Sequence, residues 1–254
     1  MAQTPRRNKP TAALTFAFPT RCRKDCQPRL ARVICAMIAA PAPEPCPACE
    51  KAPQLCVCAA IVPVDNRVEV LILRHPQEQD RALGTARLTV LQLKHAQLKT
   101  GLSWRNLGKI LDRPVDPKLW GVLYLGTAKS AVPLPLQPLT ILNAKGTPAP
   151  EQDTALAALE GIILLDGNWA QAKALWWRNA WLLKCRRLVL QPPRPSLYGN
   201  LRKEPRRDSV ATIEAAAYTL AALDHDATLA EKILPPFRLL LERARATRKN
   251  PAQQ

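Results

Sequence analysis

Several short apolar runs in this chain each stop at a turn and give way to a helical pattern, and that alternation limits what the chain can fold into. Residues 67–73 carry Val68, Val70, Leu71, Ile72 and Leu73 almost without interruption, as a strand buried on both faces requires. Residues 120–125 and 161–165 read the same way, and residues 187–190 supply a shorter fourth run. Residues 87–98, 104–111, 169–183, 209–223 and 229–246 instead repeat their apolar side chains at helical spacing. Strands that alternate with helices are joined by crossovers, so the expected class is α/β with a largely parallel sheet. Pro133, Pro135, Pro138, Pro148 and Pro150 predict a loop across residues 133–150.

The charge balance narrows the partner. Lys and Arg number 37 against 20 Asp and Glu, leaving +17, a field that favours a polyanion and nucleic acid first among them. A plain solubility surplus is the competing reading. No stretch approaches the roughly 20 apolar residues of a spanning helix, so no membrane partner is expected. Residues 1–44 carry Arg6, Arg7, Lys9, Arg21, Arg23, Lys24, Arg29 and Arg32 and read as a basic, mobile extension.

Cysteine spacing adds a metal. Cys46, Cys49, Cys56 and Cys58 fall within thirteen residues, whereas Cys22, Cys26, Cys35 and Cys185 are scattered. The first residues lack the apolar run of a secretory leader, so a reducing cytoplasm is expected, where clustered thiols indicate metal rather than disulfides. Four thiolates close a tetrahedral shell around Zn²⁺ and leave no open position, which points to a structural site. Buried free thiols or a redox pair are the alternatives.

Three further segments carry chemistry. Arg74-His75-Pro76-Gln77-Glu78 follows the first strand, with Thr85 and Arg87 close behind; His75 can face a ligand or simply shape the turn. Asp166-Gly167-Asn168-Trp169 follows a buried strand, with Gln171 and Lys173 beyond it, and open α/β sheets bind their ligands at such carboxyl ends. Trp169 offers a stacking surface, while Asp166 and Asn168 can also serve only as helix caps. Arg202, Lys203, Arg206 and Arg207 form a basic loop before Ser209, Thr212 and Glu214, which open a helix whose amino end can hold an anion.

Taken in order, these segments resemble the DTW-domain family. The family pattern has the paired-cysteine cluster, a His-Pro-x-Glu segment, an Asp-x-Thr-Trp signature and a basic stretch leading to Ser-Thr-x-Glu-Ala. Here they stand as Cys46 to Cys58, His75 to Glu78, Asp166 to Trp169, and Ala211-Thr212-Ile213-Glu214-Ala215. Asn168 replaces the signature threonine and keeps both a donor and an acceptor; Ala211 replaces the serine.

The resemblance implies a SPOUT-like parallel sheet with a trefoil knot near the carboxyl end, preceded by a small Cys₄ zinc knuckle. The boundaries would be an extension at 1–44, the knuckle at 45–60 and a catalytic domain at 61–247. It implies transfer of the 3-amino-3-carboxypropyl group of S-adenosylmethionine to N3 of a tRNA uridine, releasing methylthioadenosine. Asp166, Asn168 and Trp169 would be catalytic, and Leu125, Gly126, Thr127, Asp166, Gly167, Thr212 and Glu214 would meet the cofactor. His75, Arg87, Lys173, Arg202, Lys203, Arg206 and Arg207 would meet the RNA. A methyltransferase of the same fold and a non-catalytic, zinc-dependent RNA-binding module are the competing classes.

Overall fold

A computed structural model describes residues 44–79, 81–123, 137–202 and 209–249. The first strand, β1 (Glu69–Arg74), is buried at every residue after the first. Val70 and Ile72 face one apolar layer and Leu71 and Leu73 the other, so the uninterrupted run in the sequence reflects burial on both faces. Each such side chain, fully withdrawn from water, contributes about 1.5–3 kcal/mol of transfer free energy.

Around β1 stand β2 (Ala96–Thr100), β3 (Trp120–Leu123), β4 (Leu139–Leu142), β5 (Gly161–Asp166) and β6 (Arg186–Leu190). They form one sheet in the order β2-β1-β5-β3-β6-β4. Every pairing is parallel except that of β4 with β6. The expected α/β class with a mostly parallel sheet is therefore what the chain adopts.

The helices are α1 (Ala86–Gln92), α2 (Leu107–Leu111), α3 (Gln152–Ala157), α4 (Trp169–Arg178), α5 (Thr212–Leu223), α6 (Ala227–Ile233) and α7 (Pro235–Lys249). Leu88 of α1, Ala216, Ala217 and Leu220 of α5, Ile233 of α6 and Phe237 of α7 share the layer of Val70 and Ile72. Leu107 and Ile110 of α2 join Trp120, Trp181 and Leu182 on the other side. No described helix is long and apolar enough to cross a membrane.

Four sequence expectations need correction. The helix expected over 87–98 ends at Gln92, and its second half is the edge strand β2. A side-chain bracket decides this. Asn66 donates to the carbonyls of Val68 and His95 and accepts from His95 N, fixing an extended entry to β2. The proline-rich stretch 133–150 contains β4, because Pro138 and Pro148 flank that short edge strand rather than interrupt it.

The helix expected over 169–183 stops at Arg178. Buried Asn179 sends its amide to the carbonyls of Leu175 and Leu102 and accepts from Trp104 N, turning the chain into a 3₁₀ segment, Ala180–Lys184. The last helix, expected over 229–246, is split into α6 and α7 at Pro235 and Pro236, which lack the N–H groups a continuous helix would need. Of the run 120–125, β3 covers Trp120–Leu123 and Leu125 lies outside the described residues.

One glycine sets the spacing of the central strands. Gly161 stands opposite Trp120 across β5 and β3, and a Cβ there would sit 2.5 Å from the indole ring. Gly161→Ala should therefore lower the unfolding free energy by about 1–3 kcal/mol through overpacking, read as a lower denaturant midpoint at unchanged slope.

Candidate functional site

The carboxyl ends of β1 and β5 lie side by side, with Arg74 in register with Asp166. The His75 amide donates to the Asp166 carbonyl at 2.9 Å, extending the pairing one residue past the strand. Gly167 then turns the chain, and it must be glycine or distort, since a Cβ would lie 2.8 Å from Gln171 Cβ. Asn168 caps α4: its side chain accepts from Gln171 N at 3.0 Å, and Gln171 Oε1 accepts from Asn168 N at 2.6 Å. Asparagine in place of the family threonine thus keeps the cap. Gln171 also donates to Gln77 Oε1 at 3.3 Å, tying α4 to the turn Pro76–Glu78.

Asp166 is only partly covered, yet most of what surrounds its carboxyl is protein. Thr212 Oγ1, in the first turn of α5, donates to Asp166 Oδ1 at 2.5 Å. The loss of water around it raises the carboxyl above its ordinary value. The Thr212 hydrogen bond opposes that rise, nearby Glu78 adds to it, and the Arg74 and Arg202 cations oppose it. Thr85, just before α1, accepts from Ile213 N at 3.3 Å and so braces the turn that carries Thr212.

Glu214 has a different task. It is fully buried and accepts from Ser196 Oγ at 2.7 Å, Leu197 N at 2.9 Å and Ala211 N at 2.8 Å. By accepting from Ala211 N it makes one half of a capping box, the half that Ala211 cannot return because it has no side-chain acceptor, and it anchors residues 196–197 against α5.

The four clustered cysteines can hold a metal ion. Their sulfurs all lie within 4.8 Å of one another, with Cys46 and Cys58 3.6 Å apart and Cys49 and Cys56 3.8 Å apart. A tetrahedral zinc–thiolate shell has sulfurs about 3.8 Å apart, so the donor set fits. Backbone N–H groups of Cys49 and Ala48 hold Cys46 down at about 6, while burial pushes Cys58 up to about 12.

This segment is fastened to the Asp166 neighbourhood. Lys51, lowered to about 8 by burial, donates to the carbonyls of Arg81 at 3.1 Å and Gly84 at 2.7 Å. Arg87 donates to the Ala48 carbonyl at 2.9 Å and pairs with Glu50 at 3.7 Å. Glu50 also accepts from buried Arg74 at 3.3 Å, whose Nε donates to Thr100 Oγ1 at 3.1 Å.

Of the residues expected at the site from sequence, the fold brings together Asp166, Gly167, Asn168, Trp169 and Thr212. His75 accepts from Gln77 N through Nδ1 at 3.3 Å and shapes the turn before Pro76. Lys173 lies exposed on α4. The Arg202 guanidinium stands over the Tyr198 ring, 5.5 Å from its centroid. Leu125, Gly126, Thr127, Lys203, Arg206 and Arg207 lie outside the described residues. Glu50 and Lys51 were not anticipated; a charged pair directly after Cys49 in an otherwise uncharged cysteine–proline stretch was the available signal.

An α/β fold with a partly covered carboxylate at a strand end and a four-cysteine cluster near it defines the class, and the chain belongs to the DTW-domain family, whose pattern matches residues 43–245. It is similar to tRNA-uridine aminocarboxypropyltransferase 2 of Drosophila melanogaster, 27% identical over 205 residues that cover 77% of this chain and 72% of the fly protein. Proteins of the same name from Macaca fascicularis and Mus musculus are 25% and 24% identical. Each match covers 77% of this chain but 61% of the mammalian protein. No solved structure matches the chain.

With four thiolates at the spacing a metal shell requires, purified protein should carry one tightly held metal ion per chain by elemental analysis. Chelation should speed amide exchange at residues 44–60 and, through Lys51 and Arg87, at 81–87. A metal-free protein with the same exchange at both segments would contradict this.

Proposed function

We propose that the chain is a tRNA-uridine aminocarboxypropyltransferase, moving the 3-amino-3-carboxypropyl group of S-adenosylmethionine to N3 of a uridine. Membership of the DTW-domain family and the names of the similar fly, macaque and mouse proteins support the class of reaction. The +17 charge suits a tRNA substrate. The observation that carries the reading is the Asp166 carboxyl, raised by its surroundings and held by Thr212 at the carboxyl end of β5.

Uridine N3 bears a proton and is a poor nucleophile until that proton leaves. The sulfonium of S-adenosylmethionine is already a strong leaving group, so the protein's task lies with the base. Asp166 takes the N3 proton as the N3–carbon bond forms and the carbon–sulfur bond breaks, and the sulfur departs with its electron pair as neutral methylthioadenosine. A raised pKa suits this step, because it narrows the gap between the carboxylate and the proton it accepts. In this reading Asn168 and Trp169 shape the base pocket. Gly167, Thr212, Glu214 and residues 125–127 line the cofactor side, Glu214 by anchoring α5. His75, Arg87, Lys173 and the cations at 202, 203, 206 and 207 face the RNA.

The cysteine cluster takes Zn²⁺ in a closed, structural shell. The SPOUT-like topology with its carboxyl-terminal knot, the division at residues 44, 60 and 247, and a reducing cytoplasmic setting belong to the same proposal. The parallel sheet with strands out of sequence order is compatible with that topology.

The test is incubation with unmodified tRNA and S-adenosylmethionine labelled in its carboxyl carbon. Label should enter the RNA with release of methylthioadenosine, whereas transfer of methyl label alone would overturn the reading in favour of a methyltransferase. Asp166→Asn should lower the single-turnover rate by about 10²–10⁴ with near-normal affinity for both substrates.

A further inference from the structure

We propose that the outward face of α4, formed by Trp169, Lys173 and Trp177, is a stacking track that receives unpaired bases of the RNA and leads them to Asp166. The inference rests on the RNA-modifying reading above and extends it to a surface which that reading leaves unspecified.

α4 turns Gln171, Ala172 and Leu175 inward and leaves a stripe at i, i+4 and i+8 facing outward. Trp177 is 74% exposed and Trp169 40%, with Lys173 exposed between them. Among the described residues, the other exposed large apolar side chains are the aliphatic Val62, Leu102 and Leu183, so both exposed aromatic rings fall on this one helix. A face needed only for solubility would carry polar residues at these positions.

At a rise of 1.5 Å per residue the two indoles are spaced about 12 Å along the axis, with the ammonium midway. α4 contains Lys173 and Arg178 and no acidic residue. Beside the stripe, Arg187 stands over Trp176 at 5.9 Å and adds a further cation.

Aromatic faces interleaved with cations match a ligand that is both anionic and aromatic, which describes a nucleic acid strand with its bases unstacked. A second copy of this chain is the weaker match, because it would bring the same positive charge to the same face. The track also has a direction. Trp169 follows Asp166 by three residues, so a base stacked there lies next to the carboxylate, while Trp177 sits two turns further out.

The experiment measures affinity for unmodified tRNA, for a single-stranded oligouridine and for a base-paired RNA of equal length, using wild-type protein, Trp177→Ala and Trp177→Phe. Trp177 lies outside the catalytic set, so Trp177→Ala should keep the wild-type single-turnover rate at saturating RNA. Its affinity for the oligouridine and tRNA should fall about 5- to 100-fold, with duplex binding unchanged and Trp177→Phe close to wild type. Unchanged affinity for every RNA would overturn the proposal, as would equal weakening for duplex and single strand. A wild-type dimer that Trp177→Ala dissociates in sedimentation without altering RNA affinity would also overturn it, making the stripe a contact between copies. If wild-type protein transfers no label to tRNA but shows the Trp177 dependence, the track stands and the proposed reaction fails.

Discussion

A threonine hydroxyl donating to a carboxylate, Thr212 to Asp166, joins two parts of the chain 46 residues apart and closes the site. Withdrawing a carboxylate from water costs several kcal/mol, and one hydrogen bond to a charged group returns about 1.5–3 kcal/mol. The balance therefore leaves the carboxyl raised, in agreement with burial as the leading cause. The sign follows for stability too. Folding favours the protonated form, so ionising Asp166 lowers stability as pH rises from the ordinary carboxylate value through the folded one. A group held at such a cost is well suited to accept a proton.

Two further devices keep that arrangement in place, and both use hydrogen-bonded charge. Glu214 binds three donors at the amino end of α5 and so fixes the turn that carries Thr212. On the opposite side, Glu50 and Lys51 link the cysteine cluster to Arg74 and to the loop before α1, which holds Ile213 through Thr85. Metal at the cysteines would thus stiffen a segment that has little core of its own and, through it, one wall of the site.

How much of this the sequence disclosed follows from where each residue is buried. β1 and β5 were legible because burial on both faces leaves an unbroken apolar run. β2 and β4 were not, since edge strands carry residues such as Gln97, Lys99 and Thr140, and local spacing there resembles a helix end or a loop. Asp166-Gly167-Asn168-Trp169 was legible as a unit because a strand, a glycine turn and a capping residue occur in fixed order. The role of Glu214 was not, because its partners Ser196 and Leu197 lie 18 and 17 residues away and only folding brings them together. The same holds for Asn66 and Asn179, ordinary polar residues in sequence that end or redirect elements through distant carbonyls.

The account rests on a carboxyl that its surroundings hold above the ordinary range while Thr212 partly restrains it. The most direct measurement is an NMR titration of selectively carbon-13-labelled aspartate, with the Asp166 signal identified by its loss in Asp166→Asn. Wild-type Asp166 should titrate above the usual aspartate range, and Thr212→Val should move it higher still, because the hydrogen bond that lowers it is gone. An Asp166 that titrates at or below the ordinary value, or that is unmoved by Thr212→Val, would contradict the account.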